Sequence, residues 1–208
     1  MGGPLASVSA GSGLPAAWGA YHFKGAASQA ASYLDLSGNG NDLPVGVAPT
    51  WNSTDGLIFN GVDQYMLTGF TPQTDQSQSM MIQITNGQVS GTGALGGGNG
   101  GTGRRNFSIV ATAGGSWRAA NGGETIGSVS IAAGNLAVAG NRAYLNGADA
   151  GISLSSWTAA CVPVFLGCRN DAGTPVLFCS VRMQALYIFD IALTAPEVAA
   201  VHAVMAAI

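Results

Sequence analysis

Short runs of alternating or consecutive apolar residues recur along this chain between breaks rich in Gly, Asn, Asp and Ser. That pattern predicts strands and turns rather than helices. Trp18 to Phe23 (WGAYHF) is the first expected strand. Leu57 to Asn60 (LIFN) and Gln64 to Thr68 (QYMLT) follow, with Gly61-Val62-Asp63 between them reading as a tight, hairpin-like connection. Ser79 to Thr85 (SMMIQIT) is a strand that stops at Asn86-Gly87. Asn106 to Ala113 and Thr125 to Ala132 alternate as half-buried strands do. Asn135 to Ala139 and Arg142 to Leu145 bracket Gly140-Asn141, a hairpin signal, and a second turn follows at Asn146-Gly147. Val162 to Gly167 and Leu177 to Phe189 complete the strands.

Three segments break this pattern. The stretch up to Ala16 is rich in Gly, Ser, Ala and Pro without periodicity, so residues 1–16 read as an arm preceding a single domain at 17–208. Gly91 to Gly103 is so rich in glycine that it is expected to pack nothing and to form a mobile loop. Near the C-terminus, Thr194 followed three residues later by Glu197 forms a capping box, with Pro196 in the first turn. Val198, Val201, Met205 and Ile208 then share one helix face, which is expected to dock on the strands.

A chain of 208 residues is long enough for one large domain with a real core, and a mean hydropathy of +0.30 argues against disorder. Charge is the unusual feature: 8% of residues are Asp, Glu, Lys or Arg, against roughly 25% in a typical domain. Lys24 is the sole lysine, and Glu124 and Glu197 are the only glutamates. A surface built from small and neutral polar residues suits a protein packed against other subunits, or one in a harsh extracellular setting. Net charge is −3 and Arg104-Arg105 is the only paired basic site, which argues against nucleic-acid binding. No apolar run is long enough to span a bilayer, and Met1 to Leu14 lacks the charged start and long apolar stretch of a signal peptide. Cys161 and Cys168 flank an expected strand whose ends lie roughly 23 Å apart, too far to bridge. Cys168 and Cys179 are left either paired across a hairpin or, with Cys161, free and buried.

Three segments resemble one family. The first is Tyr33 to Leu43 with the downstream Leu57-Ile58-Phe59-Asn60-Gly61-Val62-Asp63-Gln64-Tyr65. The second is Arg142 to Gly151 (RAYLNGADAG). The third is Val164 to Asp171 with Ala185 to Glu197 (ALYIFDIALTAPE). Their order and spacing are similar to the laminin G-like branch of the concanavalin A-like lectin/glucanase superfamily, and the closing strand and LTAPE-type helix carry most of the likeness. The resemblance implies an all-β, two-sheet antiparallel jelly-roll sandwich with a short C-terminal helix. It leaves function open, because the fold hosts lectins, glycosidases, adhesion modules and virion parts. The chain departs from the family in lacking a tryptophan in Ser79 to Thr85 and in its glycine-rich segment.

The chemistry narrows the choice. Glycoside hydrolysis needs two carboxylates about 5–9.5 Å apart. Glucanase-type members of the superfamily place acidic residues alternately on one strand, and no strand here has two carboxylates at that spacing. His22 and His202 fall in the first strand and the terminal helix, and no G-x-S-x-G elbow exists. The expectation is a chain that is not an enzyme. Asp35, Asn39, Asp42 and Asp63, with Asn41, offer hard oxygen atoms on loops, the ligands that calcium takes. Sugar binding needs an aromatic platform with a polar rim. Trp51, Trp117, Trp157, Tyr65 and Tyr144 are candidates; Trp117, with Arg118 and Asn121 beside it, is the first choice. The arm and the undercharged surface favour a structural or decorating component of a virus particle, such as a phage, with a lectin-like fold. Its partners would be other virion subunits or further copies of itself, with a cell-surface glycan as a further ligand. The alternative is a carbohydrate-binding module or lectin assisted by calcium; a glycoside hydrolase or polysaccharide lyase is the minor one.

Overall fold

A computed structural model describes residues 13–73, 75–86, 93–99, 106–112, 116–122, 128–130, 133–154 and 162–208. The first sheet contains β1 (Gly19–His22), β3 (Thr50–Asn52), β4 (Gly56–Asn60), β6 (Ser79–Asn86), β11 (Gly134–Ala139), β12 (Arg142–Leu145), β13 (Ala148–Ser153) and β17 (Ser180–Phe189). The second contains β2 (Val45–Val47), β5 (Tyr65–Leu67), β7 (Gly93–Asn99), β8 (Asn106–Thr112), β9 (Ser116–Gly122), β10 (Ser128–Ser130), β14 (Phe165–Leu166), β15 (Arg169–Asp171) and β16 (Thr174–Val176). Strand order is β13-β12-β11-β6-β17-β4-β3 in the first, with β1 beside β17, and β10-β9-β8-β7-β14-β5-β2 in the second. Pairing is antiparallel apart from β15 with β7. With a short helix α1 (Gln29–Ser32) and a C-terminal helix α2 (Ala195–Ala206), this is the expected two-sheet sandwich with its helix at the end.

Alternation along the strands builds two cores. Met80, Ile82 and Ile84 of β6 and Leu136 and Val138 of β11 face inward, where they meet Met66, Phe107, Ile109, Trp117 and Leu166 of the second sheet. Met81, Ala137, Tyr144, Tyr187 and Phe189 face outward and are covered by Val198, Val201 and Met205 of α2. Ile208 and Leu14 pack at the margin of this outer layer, so the expected helix face is the one that docks. Glu197 accepts hydrogen bonds from Thr194 N and Oγ1, both at 2.7 Å, which completes the capping interaction at the helix start. In β17 the phase of alternation changes. Val181 and Met183 face the inner core, yet so do Leu186 and Ile188, because register shifts at Arg182/Met183 and Met183/Ala185 insert a bulge.

Two expectations change. Gly61-Val62-Asp63 is no hairpin: β4 belongs to the first sheet and β5 to the second, so the short loop carries the chain across the sandwich. Asn60 shapes it, its Oδ1 accepting from Val62 N at 2.9 Å and its Nδ2 donating to Asp63 Oδ1 at 2.8 Å. The glycine-rich segment is not wholly a loop, since Gly93–Asn99 is a central strand paired with β8, β14 and β15. Glycine is needed there: a Cβ on Gly97 would collide with the Ser108 side chain, and one on Gly93 would come within 2.7 Å of the Phe178 carbonyl. Of the expected strand Thr125 to Ala132, Ser128–Ser130 pairs with β9 and the remainder lies outside the described residues. Residues 1–12 of the expected arm and Cys161 also lie outside them, whereas Cys168 and Cys179 are free and buried.

Candidate functional site

The residues expected to bind calcium are engaged with the protein itself. Asp35 Oδ1 accepts from Ala20 N at 3.0 Å and Ser37 N at 2.9 Å; Oδ2 accepts from Ser37 Oγ at 2.7 Å and Asn41 N at 3.0 Å. Burial alone would raise the Asp35 carboxyl, but these donated bonds outweigh it and hold the group below the ordinary carboxylate value. Asp42 Oδ1 accepts from Asp35 N at 2.8 Å, and Asn39 Nδ2 donates to Ala17 O at 2.8 Å. Asp63 serves the separate turn that Asn60 organises. Asp35 and Asn39 tie the Tyr33 to Leu43 loop to β1 and its approach, the ordinary work of Asx turns, and both Asp35 oxygens already face protein donors. Among the described residues, no group of three or more His, Cys, Asp or Glu side chains is placed to hold a metal ion.

Trp117 does not serve as the expected sugar platform. Trp117 is 1% exposed and lies in the inner core with Ala119, its neighbour at i+2 on β9. Strand alternation sends both inward, so the indole ring offers no face to a ligand. The side chains of Arg118 and Asn121 lie outside the described residues. His22 is more enclosed than a half-buried strand residue, at 6% exposure. Its Nε2 is 2.7 Å from Tyr187 Oη, and its Nδ1 is buried without a partner. Burial pushes the imidazole down to about 4, so it is neutral at pH 7.

Tyr65, one of the sequence candidates, stands where a platform is possible. On β5 it precedes Met66, which is fully buried, so alternation places Tyr65 on the outer face of the second sheet. Phe165, which precedes the buried Leu166 on β14, comes to the same face. The two rings lie 5.3 Å apart at 29°, and Phe178 meets Tyr65 edge-on at 6.4 Å and 60°. The Tyr65 ring lies over Gly46 of the edge strand β2, where any side chain would collide with it. Val45 and Val47 on either side of that glycine are 44% and 42% exposed. Tyr65 and Phe178 are half-buried, and the Tyr65 hydroxyl makes no hydrogen bond among the described residues. Leu177, next to Phe178, has φ 53°, a left-handed conformation that a bulky side chain disfavours. It is fixed by Ala94 N donating to its carbonyl at 2.7 Å. Local strain of this kind gathers at binding sites, where surrounding structure holds it in place. Phe165 and Phe178 carried no signal in the sequence, because the shelf is assembled from segments far apart in the chain.

No family model and no curated protein matches this chain. Solved structures do. The sialidase of Trypanosoma rangeli with 2,3-difluorosialic acid as a covalent intermediate is similar over 96% of this chain and 35% of its own, with 18% identity and a TM-score of 0.65. Its complex with 2,3-difluoro-KDN aligns over 91% and 33%, with 16% identity and a TM-score of 0.64. A mutant displaying trans-sialidase activity aligns over 92% and 34%, with 18% identity and a TM-score of 0.63. The chain thus spans about a third of the length of these proteins, and at such identities the likeness is one of fold. It nonetheless overturns the expectation that the chain stands apart from enzymes, because the proteins it folds like are sialidases.

Proposed function

We propose that this chain is a carbohydrate-recognition module with a concanavalin A-like jelly-roll sandwich, and that it binds glycans on the Tyr65–Phe165–Phe178 shelf. The observation that carries this reading is the shelf itself: the half-buried rings of Tyr65 and Phe178 on an outer sheet face with the buried Phe165 stacked on Tyr65, a tyrosine hydroxyl without a partner among the described residues, and a strained residue holding one wall. A sugar ring presents C–H groups on one face and hydroxyls at its rim, which such a surface matches. Solved neighbours that carry sialic acid derivatives support a setting in which glycans are handled.

A glycan array probed with the purified chain and with Tyr65→Ala tests this. Saturable binding that Tyr65→Ala weakens by about 30-fold, the effect of truncating a central aromatic contact, is the expected result. Binding unchanged in a folded Tyr65→Ala variant would refute the placement, and a blank array with folded protein would refute the function. Assembly onto a larger particle is a second reading, favoured by the low charge and by the exposed valines on edge strand β2. It predicts self-association that Val45→Lys and Val47→Lys abolish, measured by light scattering.

A further inference from the structure

We propose that the glycan held on this shelf carries a carboxylate, and that Arg169 receives it. The inference rests on the glycan-recognition reading and adds a charge to the ligand. Cations are scarce, with 7 Lys and Arg in the whole chain. Two of the described arginines are exposed and paired: Arg142 Nη1 lies 3.5 Å from Asp149 Oδ2 and Arg182 Nη1 lies 3.1 Å from Asp55 Oδ1. Pairs in such positions contribute little. Arg169 is in the opposite situation. It is half-buried, its Nε is enclosed and has no hydrogen-bond partner, and its guanidinium meets no carboxylate among the described residues. A half-buried guanidinium that meets no carboxylate among the described residues leaves its outer nitrogens to an anion from outside the chain.

Its place in the sheet connects it to the shelf. Arg169 on β15 and Phe165 on β14 are both registered against Gly97 of β7, and the residue opposite Asn170 is Gly98. Gly97 has no side chain of its own at this register position, and the Ser108 side chain lies against it. Arg169 is also cross-strand from Val176, the residue before the strained Leu177 and Phe178 of the shelf. A guanidinium offers a planar fork that engages both carboxylate oxygens at once, which a hydroxyl cannot reproduce. The sugar face would stack on Tyr65 while its acidic group reaches Arg169.

The test compares matched pairs by calorimetry: 3′-sialyllactose against lactose, and a glucuronic-acid-terminated disaccharide against its glucose-terminated counterpart. The expected result is tighter binding of an acidic member by about 10-fold or more, the worth of a charge-assisted hydrogen bond. Arg169→Gln should erase that preference and leave the neutral partner's affinity unchanged, while Tyr65→Ala weakens both. If Arg169→Gln does not fold, Arg169→Lys keeps the charge, loses the fork and should lose most of the preference. Equal binding of acidic and neutral partners, or a preference that survives the Arg169 variants, overturns this inference and leaves glycan recognition standing. Absence of binding to every neutral and acidic glycan overturns both.

Discussion

Acidification from pH 7 to pH 4 should destabilise this fold through His22. The imidazole lies in β1 against Tyr187 of β17, its Nε2 2.7 Å from the hydroxyl, and 6% of the residue is exposed. An unfolded chain takes up this proton near the ordinary value of about 6.5, whereas the folded protein takes it up at about 4. Between those values the unfolded state binds more protons, so stability rises with pH through the window and falls as pH drops through it. At about 1.4 kcal/mol per pH unit, the roughly 2.5-unit gap amounts to about 3 kcal/mol lost by pH 4, a sizeable part of a typical domain's 5–15 kcal/mol. Urea unfolding at intervals between pH 7 and pH 4 measures it, with His22→Gln as the control that cannot titrate. Wild type should lose about 3 kcal/mol more than the variant across this range. The main carboxylate held low by its hydrogen bonds, Asp35, loses its contribution at lower pH, because its unfolded-state value is already near 3.8. Parallel pH profiles for the two proteins would show that His22 does not set this pH dependence.

Other consequences are as specific. Trp117→Ala should cost about 3–5 kcal/mol in chemical denaturation, since it empties a core site, and a folded Trp117→Phe should keep its glycan profile. Gly97→Val should lower the melting temperature sharply, because its side chain would drive β7 and β8 apart at Ser108. Burial pushes both Cys168 and Cys179 up to about 12, so native protein should react with iodoacetamide at these positions far more slowly at pH 8 than protein in guanidinium, as peptide mapping would show.

What could be read from the sequence was local. The β11–β12 hairpin followed from Gly140-Asn141 between two apolar runs, and α2 followed from its capping residues and one apolar face. Both depend on residues close together in the chain. The strand β7 escaped because glycines carry no alternation; only the neighbours that crowd Gly93 and Gly97 explain why they belong in a sheet. Gly61-Val62-Asp63 resembled a hairpin because a short loop between strands looks the same whether it joins partners or crosses between layers. Trp117 was the first choice as a sugar platform because Arg118 and Asn121 stand beside it in the chain, yet its burial is set by the facing sheet. Asp35 and its loop resembled a cation site because oxygen-rich turns and calcium loops share a composition, and only the donors reaching each oxygen distinguish them.

The most direct measurement is a crystal structure of the chain with an oligosaccharide that binds it on the array. A sugar ring is expected stacked against Tyr65, next to Phe165 and Phe178, on the outer face of the second sheet. A sugar bound with full occupancy elsewhere, with the Tyr65 shelf left bare, would contradict glycan recognition at this shelf.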